Sequence, residues 1–467
     1  MSTNSISSTH TVGTASLSPP RTLPVLSRLR LMAELPLSTE PRSNNPETPR
    51  TPRRRSVTVA ALSAAGLAVL GGVGYSAYQA REPTSTGGSG IAEDVEAVPL
   101  ERLLLPGAPT PVPSFGPNGT HWPSRTPWIT GDVDLEIDVE CSWSAIGDAI
   151  TSAITEAGPT ATVRIRVAPG ELDGDGAGSS SSPVLQDIGS LNRDNRILVY
   201  PREGYGTVTA IESWRLLRVH GVTFGGIVTR GGFLLSGCSG SALTRITTTA
   251  YNVYGVDGVE YTENVELVEI VVPDAQLRDQ DVSSMRTPTR GAGGLRFIYR
   301  IGCHTAPAFK EKGSNAHTDT VQLSGQGSNY YGNITSIDCV DFASSNTAFQ
   351  IGSAKDVAYD HCLIVGGSVV KKVFPLPEGA DIDGNFGATN GPGTEFGCTT
   401  INSIFVGPVG AATWASVTGS TVGYESTGPA PQEGEWTIDP AILDWDSSDV
   451  RERSPEITTD YLARIWA

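Results

Sequence analysis

Short apolar runs recur along this chain at a nearly constant interval, and that interval limits its fold more than any other feature. Runs at residues 217–224, 242–246 and 265–271 begin 25 and 23 residues apart. Runs at 336–340 and 359–363 repeat the interval, their cysteines Cys339 and Cys362 lying 23 apart. β-Branched residues fill the runs, and glycine marks the turns between them. A repeat of this length cannot bury its apolar face alone, but stacked copies can. A β-sandwich is the alternative, and it carries no fixed period. The interval therefore predicts an all-β fold, a parallel β-helix of about ten turns between residues 160 and 410. The composition agrees: 53 Gly, 32 Pro and only 18% charged residues suit short strands and turns better than helical bundles.

Outside the coil the chain divides by composition. Residues 1–55 are rich in Ser, Thr and Pro without periodicity and are expected to be disordered. Arg53, Arg54 and Arg55 precede a glycine-containing apolar stretch that runs to about residue 80. This pattern resembles a twin-arginine export signal and implies a secreted or cell-surface protein. Uncleaved, the same stretch is long enough to anchor the chain in a bilayer, which would be its one membrane contact. Met32 would give the signal a shorter leader and is the expected start. Residues 81–135 read as a flexible linker followed by a proline-rich wrap, 136–410 as the coil, and 411–467 as a tryptophan-bearing tail that folds back to cap or brace it.

Charge narrows the partners. Residues 1–82 hold nine arginines and four acidic residues, leaving 24 basic against 46 acidic beyond them, a net of −22. Such a surface excludes nucleic acid and anionic membranes as partners. An anionic substrate would need a local basic patch or a bound cation.

Ser142 is placed to cap a helix in which Ile146, Ile150 and Ile154 share one stripe with Ala145, Ala149 and Ala153. Residues 162–167 then alternate as a strand. This succession resembles the N-terminal cap of pectate-lyase-like right-handed parallel β-helices, where a helix plugs the open end of the coil, and it implies that handedness here.

The chemistry concentrates in one window. All five lysines, Lys310, Lys312, Lys355, Lys371 and Lys372, lie between 310 and 372, with His317 and His361 among them. Lysine titrates as a base when desolvated far more readily than arginine. Residues 318–323, 332–338 and 349–352 together resemble a succession of strands in pectate lyases, over about 35 residues. That resemblance implies a calcium-ligand position for Asp319, with His317 and Gln322 beside it. Two departures stand: Gln322 occupies the place of a second carboxylate, and the arginine-proline motif of that family is absent. The fold transfers better than the reaction.

β-Elimination on a uronate needs a base, a neutraliser of enolate-like charge and a donor to the leaving oxygen. His317, Lys312, Asp319, Gln322 and Tyr330 are the expected catalytic set, with Tyr331 a second donor. Lys310, Lys355, Gln350, Asp338 and Asp360 are expected to bind substrate, and Asp319 to hold Ca²⁺ through oxygen. The expected activity is a polysaccharide lyase acting on an acidic polysaccharide. Hydrolysis is the alternative: it needs paired carboxylates, for which Asp319, Asp338, Asp341, Asp356 and Asp360 are available, and Asp338 and Asp360 are expected at comparable places on adjacent turns. A non-catalytic glycan-binding β-helix is the third reading, favoured if His317 and Asp319 point inward. The absence of a CxxC pair argues against zinc. Cys339 and Cys362 are expected to stack as reduced, buried thiols.

Overall fold

The structure is a computed structural model describing residues 121–466, apart from 173–181, 257–260, 288–292, 326–330, 353, 384–385, 391–397, 410–413, 425–435 and 455–456. The expected export segment and Tyr330 lie outside the described residues. Among those described, no helix is long and apolar enough to cross a membrane.

The chain is a right-handed parallel β-helix. Most turns give a strand to each of three lengthwise faces. Sheet 1 stacks eleven described strands, from Leu135–Val139 through Thr262–Val268, Leu295–Ile301, Tyr331–Ile337 and Lys355–Asp360 to Trp414–Thr418. Sheet 2 stacks eight, including Gly232–Ser236, Ala250–Tyr254, Ser283–Arg286, Asp319–Ser324, Thr347–Ile351 and Gly387–Asn390. Sheet 3 runs from Val271–Val272 through Val340–Phe342 and Leu363–Val365 to Thr437–Ile438. Neighbours within each face are parallel. The inward column of sheet 2 shows why: Leu216, Leu235, Val253, Met285, Leu323 and Ile351 pair in register and are buried. Each adds a side chain to one continuous core at roughly 1.5–3 kcal/mol apiece.

The period is real but less even than the sequence suggests. Val340 pairs with Leu363, so Cys339 and Cys362 stack one turn apart; both are buried thiols. The run beginning at residue 217, however, straddles two faces. The register partners are Thr223, Ala242 and Glu266, spaced 19 and 24. Residues 283–286, although mostly polar and without a β-branched side chain, form the sheet 2 strand Ser283–Arg286. Stacked strands also continue past residue 410, as far as Ile438.

The end of the coil is plugged as expected. Helix α1 (Trp143–Glu156) is capped by Ser142, whose side chain accepts from the Ala145 N–H at 3.1 Å, and it buries Trp143, Ile146, Ala149, Ile150 and Ala153.

One bend recurs between sheets 1 and 3. Gly226, Arg245, Glu269, Gly302, Asp338, His361, Asn402 and Gly419 occupy it on successive turns with φ between 46° and 70°. Left-handed backbone costs non-glycine residues about 1 kcal/mol or more each. The stack offsets that cost: the Glu269 N–H donates to Ile301 O at 2.7 Å and the Asp338 N–H to Asp360 O at 2.9 Å, each to the next turn. The side chains of this column point outward.

A strap and a tail lie across the outside of sheet 1. In the strap, residues 121–131, Trp122 and Ile129 share a cluster with Leu198 and Tyr200, which Ile465 joins from the tail, with Trp466 packed against it. Strap carbonyls at Ile129 and Gly131 accept from Arg164, which is why Arg164 is buried on an outward position.

Inside the coil, Arg300 and Asp341 form a fully buried ion pair. Arg300 also donates to Tyr251 Oη at 2.7 Å and Ser336 Oγ at 3.0 Å, so one guanidinium ties all three faces together.

Candidate functional site

A groove of about 700 Å³ lies on the outer face of sheet 2. Strands Gly232–Ser236, Ala250–Tyr254, Ser283–Arg286 and Asp319–Ser324 contribute to its lining, together with Arg278–Asp281 and Ala316–His317 from the loops.

Strand parity decides who faces it. Asp319 has the same parity as Val321 and Leu323, which fill the core, and is 1% exposed. Gln322 has the opposite parity and points outward into the groove, where its Oε1 accepts from Arg286 Nη2 at 2.8 Å. Gln322 pairs in register with Gln350, whose Oε1 accepts from Asn390 Nδ2 at 3.1 Å. Asp319 and Gln322 therefore belong to two layers of the same wall.

Beneath the groove three aspartates gather. Asp281 sits where Asp319 sits, one turn earlier, and its Oδ1 accepts the Asp319 N–H at 3.1 Å. Arg286 Nη2 pairs with Asp281 Oδ2 at 3.0 Å. Asp383 pairs with Lys310, and its Oδ2 lies 3.4 Å from His317 Nδ1. Asp319 has no such cation. Its Oδ1 accepts from Asn346 Nδ2 at 2.8 Å, while its buried Oδ2 has no hydrogen-bond partner among the described residues. Burial first, and then the charge of Asp281, push the Asp319 carboxyl up to about 8 against the opposing Asn346 hydrogen bond. Burial also raises Asp281, opposed by the Asp319 N–H and by Arg286. At neutral pH Asp319 thus carries a proton. Arg278, lowered by burial, donates to Asp281 O at 2.9 Å and closes the groove's loop side.

The other expected residues scatter. His317 reaches the groove from an exposed loop, its side chain 74% exposed, so neither it nor its loop forms an inward ladder. Lys312 is exposed on the same loop. Lys310 is buried and bound to Asp383. Lys355 opens a sheet 1 strand, on a different face. Tyr331 points into the core and donates to Met285 O at 2.7 Å, so it cannot serve the groove. Asp338 and Asp360 are not matched on adjacent turns: Asp360 pairs with Ile337, and Asp338 falls one position later. Asp338 bonds His121 and Asp360 bonds His361, both at the sheet 1–sheet 3 bend. Asp341 is committed to Arg300. The lysine window is thus a stretch of sequence, not a surface.

Asp281, Arg278, Arg286 and Asp383 were not foreseen. The signal for Asp281 was its position two residues before an inward serine, matching Asp319 two before Val321. The 38 residues between them hid the match from a fixed period.

No family model matches this sequence, and no curated protein matches it. Among solved structures it is similar to pectate lyase Pel9A at 10% identity, over 66% of this chain and 78% of that one, with a TM-score of 0.36. It is also similar to the ORF18 protein of Geobacillus virus E2 at 11% identity, over 61% and 60% of the two chains, with a TM-score of 0.23.

Proposed function

We propose that the protein is an exported carbohydrate-active β-helix that takes an acidic polysaccharide into the sheet 2 groove and cleaves it by β-elimination. The observation that carries this reading is the meeting of Arg278, Arg286, His317 and Gln322 in one groove, beside Asp279 and Asp281. Two guanidiniums suit a uronate carboxylate, which they can grip in bidentate fashion. His317 is the candidate base. It takes the proton beside that carboxylate, the C–O bond to the leaving sugar breaks, a carbon–carbon double bond forms, and the departing oxygen is protonated from solvent. Lys312, on the same loop, is a second cation at the rim. Gln322 and Gln350 hold sugar hydroxyls.

Calcium does not fit this site. Asp281 and Asp383 already face Arg286 and Lys310, and the Asp319 Oδ2 is buried behind the wall, outside the groove lining. Among the described residues no three His, Cys, Asp or Glu side chains converge as a metal site.

Hydrolysis is the second reading, favoured by Asp281 and Asp319 lying side by side, with the Asp281 Oδ1 accepting the Asp319 N–H at 3.1 Å. One is held protonated and the other faces a guanidinium, as an acid and its partner would be.

A panel of acidic and neutral glycans separates the readings. Products with ultraviolet absorbance from a new double bond support elimination. Reducing ends without absorbance support hydrolysis. Binding without either product refutes both and leaves a glycan-binding protein. Export is tested by secretion of a reporter fused to residues 1–120; a reporter that stays in the cytoplasm refutes it.

A further inference from the structure

The two ends of the described chain meet at a single carboxylate. Glu269 is fully buried on the sheet 1–sheet 3 bend. Its Oε1 accepts the backbone N–H of His121, from the strap, at 2.9 Å and the hydroxyl of Tyr461, from the tail, at 2.6 Å. Its Oε2 lies 2.7 Å from Arg245 Nη2. Arg245 in turn donates through Nη1 to the tail carbonyls of Tyr461 and Leu462 at 2.9 and 2.8 Å. Two turns on, His121 Nε2 bonds Asp338 Oδ2 at 2.9 Å.

The bend is shaped for these visitors. A Cβ on Gly302 would stand 2.5 Å from His121 Nδ1, and one on Gly226 would stand 2.5 Å from the Trp466 ring. Glycine at these two places lets strap and tail approach the backbone. Further along the strap, the Ser124 N–H donates to Glu266 Oε2 at 2.7 Å, and Arg196 bridges Glu266 Oε1 and Ser124 O. Strap and tail also meet through the Trp122–Ile129–Leu198–Tyr200–Ile465 cluster.

We propose that His121, Glu269 and Tyr461 form a clasp in which strap and tail hold one another in place, and that the clasp opens at alkaline pH. The groups facing His121 are Glu269 and Asp338 from two bends of sheet 1, with Arg245 and Tyr461 behind Glu269 and the Asp360–His361 pair on the bend beyond Asp338. Burial alone would lower the imidazole; the two carboxylates outweigh it and hold His121 above its ordinary value. Glu269 is held low in spite of burial, by Arg245 and then His121. Tyr461, pushed far up by burial and by Glu269, keeps its proton and goes on donating. His121 is the group that titrates. With its folded value raised, its contribution is complete below about pH 6.5 and is lost as pH rises through the folded value. Neutral His121 leaves Asp338 and Glu269 facing each other across the strap with one positive charge fewer.

Hydrogen exchange read by mass spectrometry, corrected for the intrinsic pH dependence of exchange, tests this on the whole protein. From pH 6 to pH 9, peptides covering 121–131 and 457–466 should together lose about tenfold protection, the scale of one charge-assisted hydrogen bond. The inward strands of sheets 1 and 2 should not change. His121→Gln should make both peptides fast at both pH values. Tyr461→Phe, which removes one hydroxyl and spares the fold, should loosen the strap as well as the tail. Strap protection unchanged in Tyr461→Phe overturns the mutual clasp. A pH response that survives in His121→Gln overturns the role of His121.

Discussion

Replacing Asp319 with asparagine should make the protein more stable at neutral pH. In the native fold the Asp319 carboxyl titrates at about 8. In the unfolded chain it titrates near about 3.9. A group raised in this way contributes fully below the unfolded value and progressively weakens the fold as pH rises toward the folded one. At pH 7 the gap in play is about three units. At about 1.36 kcal/mol per unit, keeping a proton on Asp319 costs about 4 kcal/mol. Asparagine is neutral at every pH. It can retain the Asn346 hydrogen bond through its own oxygen, and it offers N–H donors to a neighbourhood already crowded with Asp281 and Asp383. The expected gain is about 2–4 kcal/mol at pH 7 and close to zero at pH 4, from urea unfolding at each pH. A residue that served packing alone would show the reverse, a loss at every pH. A variant that is less stable at pH 7, or a gain that does not grow between pH 4 and 8, refutes the reasoning.

Other expectations follow from the same geometry. His317→Ala should lower turnover at least about 100-fold, the scale of a lost general base, with an unchanged Tm because the side chain is exposed; a Tm drop of several degrees would make it structural. Arg300→Met should cost about 3–5 kcal/mol by leaving Asp341 buried and uncompensated, and Arg300→Met with Asp341→Leu should recover most of it; equal losses in both would refute the ion-pair account. Thiol labelling of denatured protein without reductant should modify Cys339 and Cys362 directly, whereas labelling only after reduction, on one linked peptide, would show a disulfide.

Much of the fold was legible because it depends on local pattern. The Ser142 cap and the isoleucine stripe of α1 identify the plug, and the 23-residue step from Cys339 to Cys362 identifies stacked turns. Less of the site was legible, because the site depends on register. Ser283–Arg286 has no β-branched residue; its neighbours Ala250–Tyr254 and Asp319–Ser324 make it a strand. Without that strand Asp281 cannot be set beside Asp319. Nor does nearness in sequence place residues on one face: Asp319 and Gln322 differ by parity, and Lys310 and Lys355 belong to different sides of the coil.

The repeating bend has a consequence for how such a protein can change. Chain length between register partners is 17 residues from Thr400 to Val417 and 41 from Ala358 to Thr399. The bend keeps its conformation throughout. Chain length per turn is therefore uncoupled from stacking. Segments added or deleted where Asp281, His317 and Asp383 stand would reshape the groove without shifting a single strand pair. Substrate preference in this architecture can then diversify through insertions and deletions, with point substitutions left to refine it.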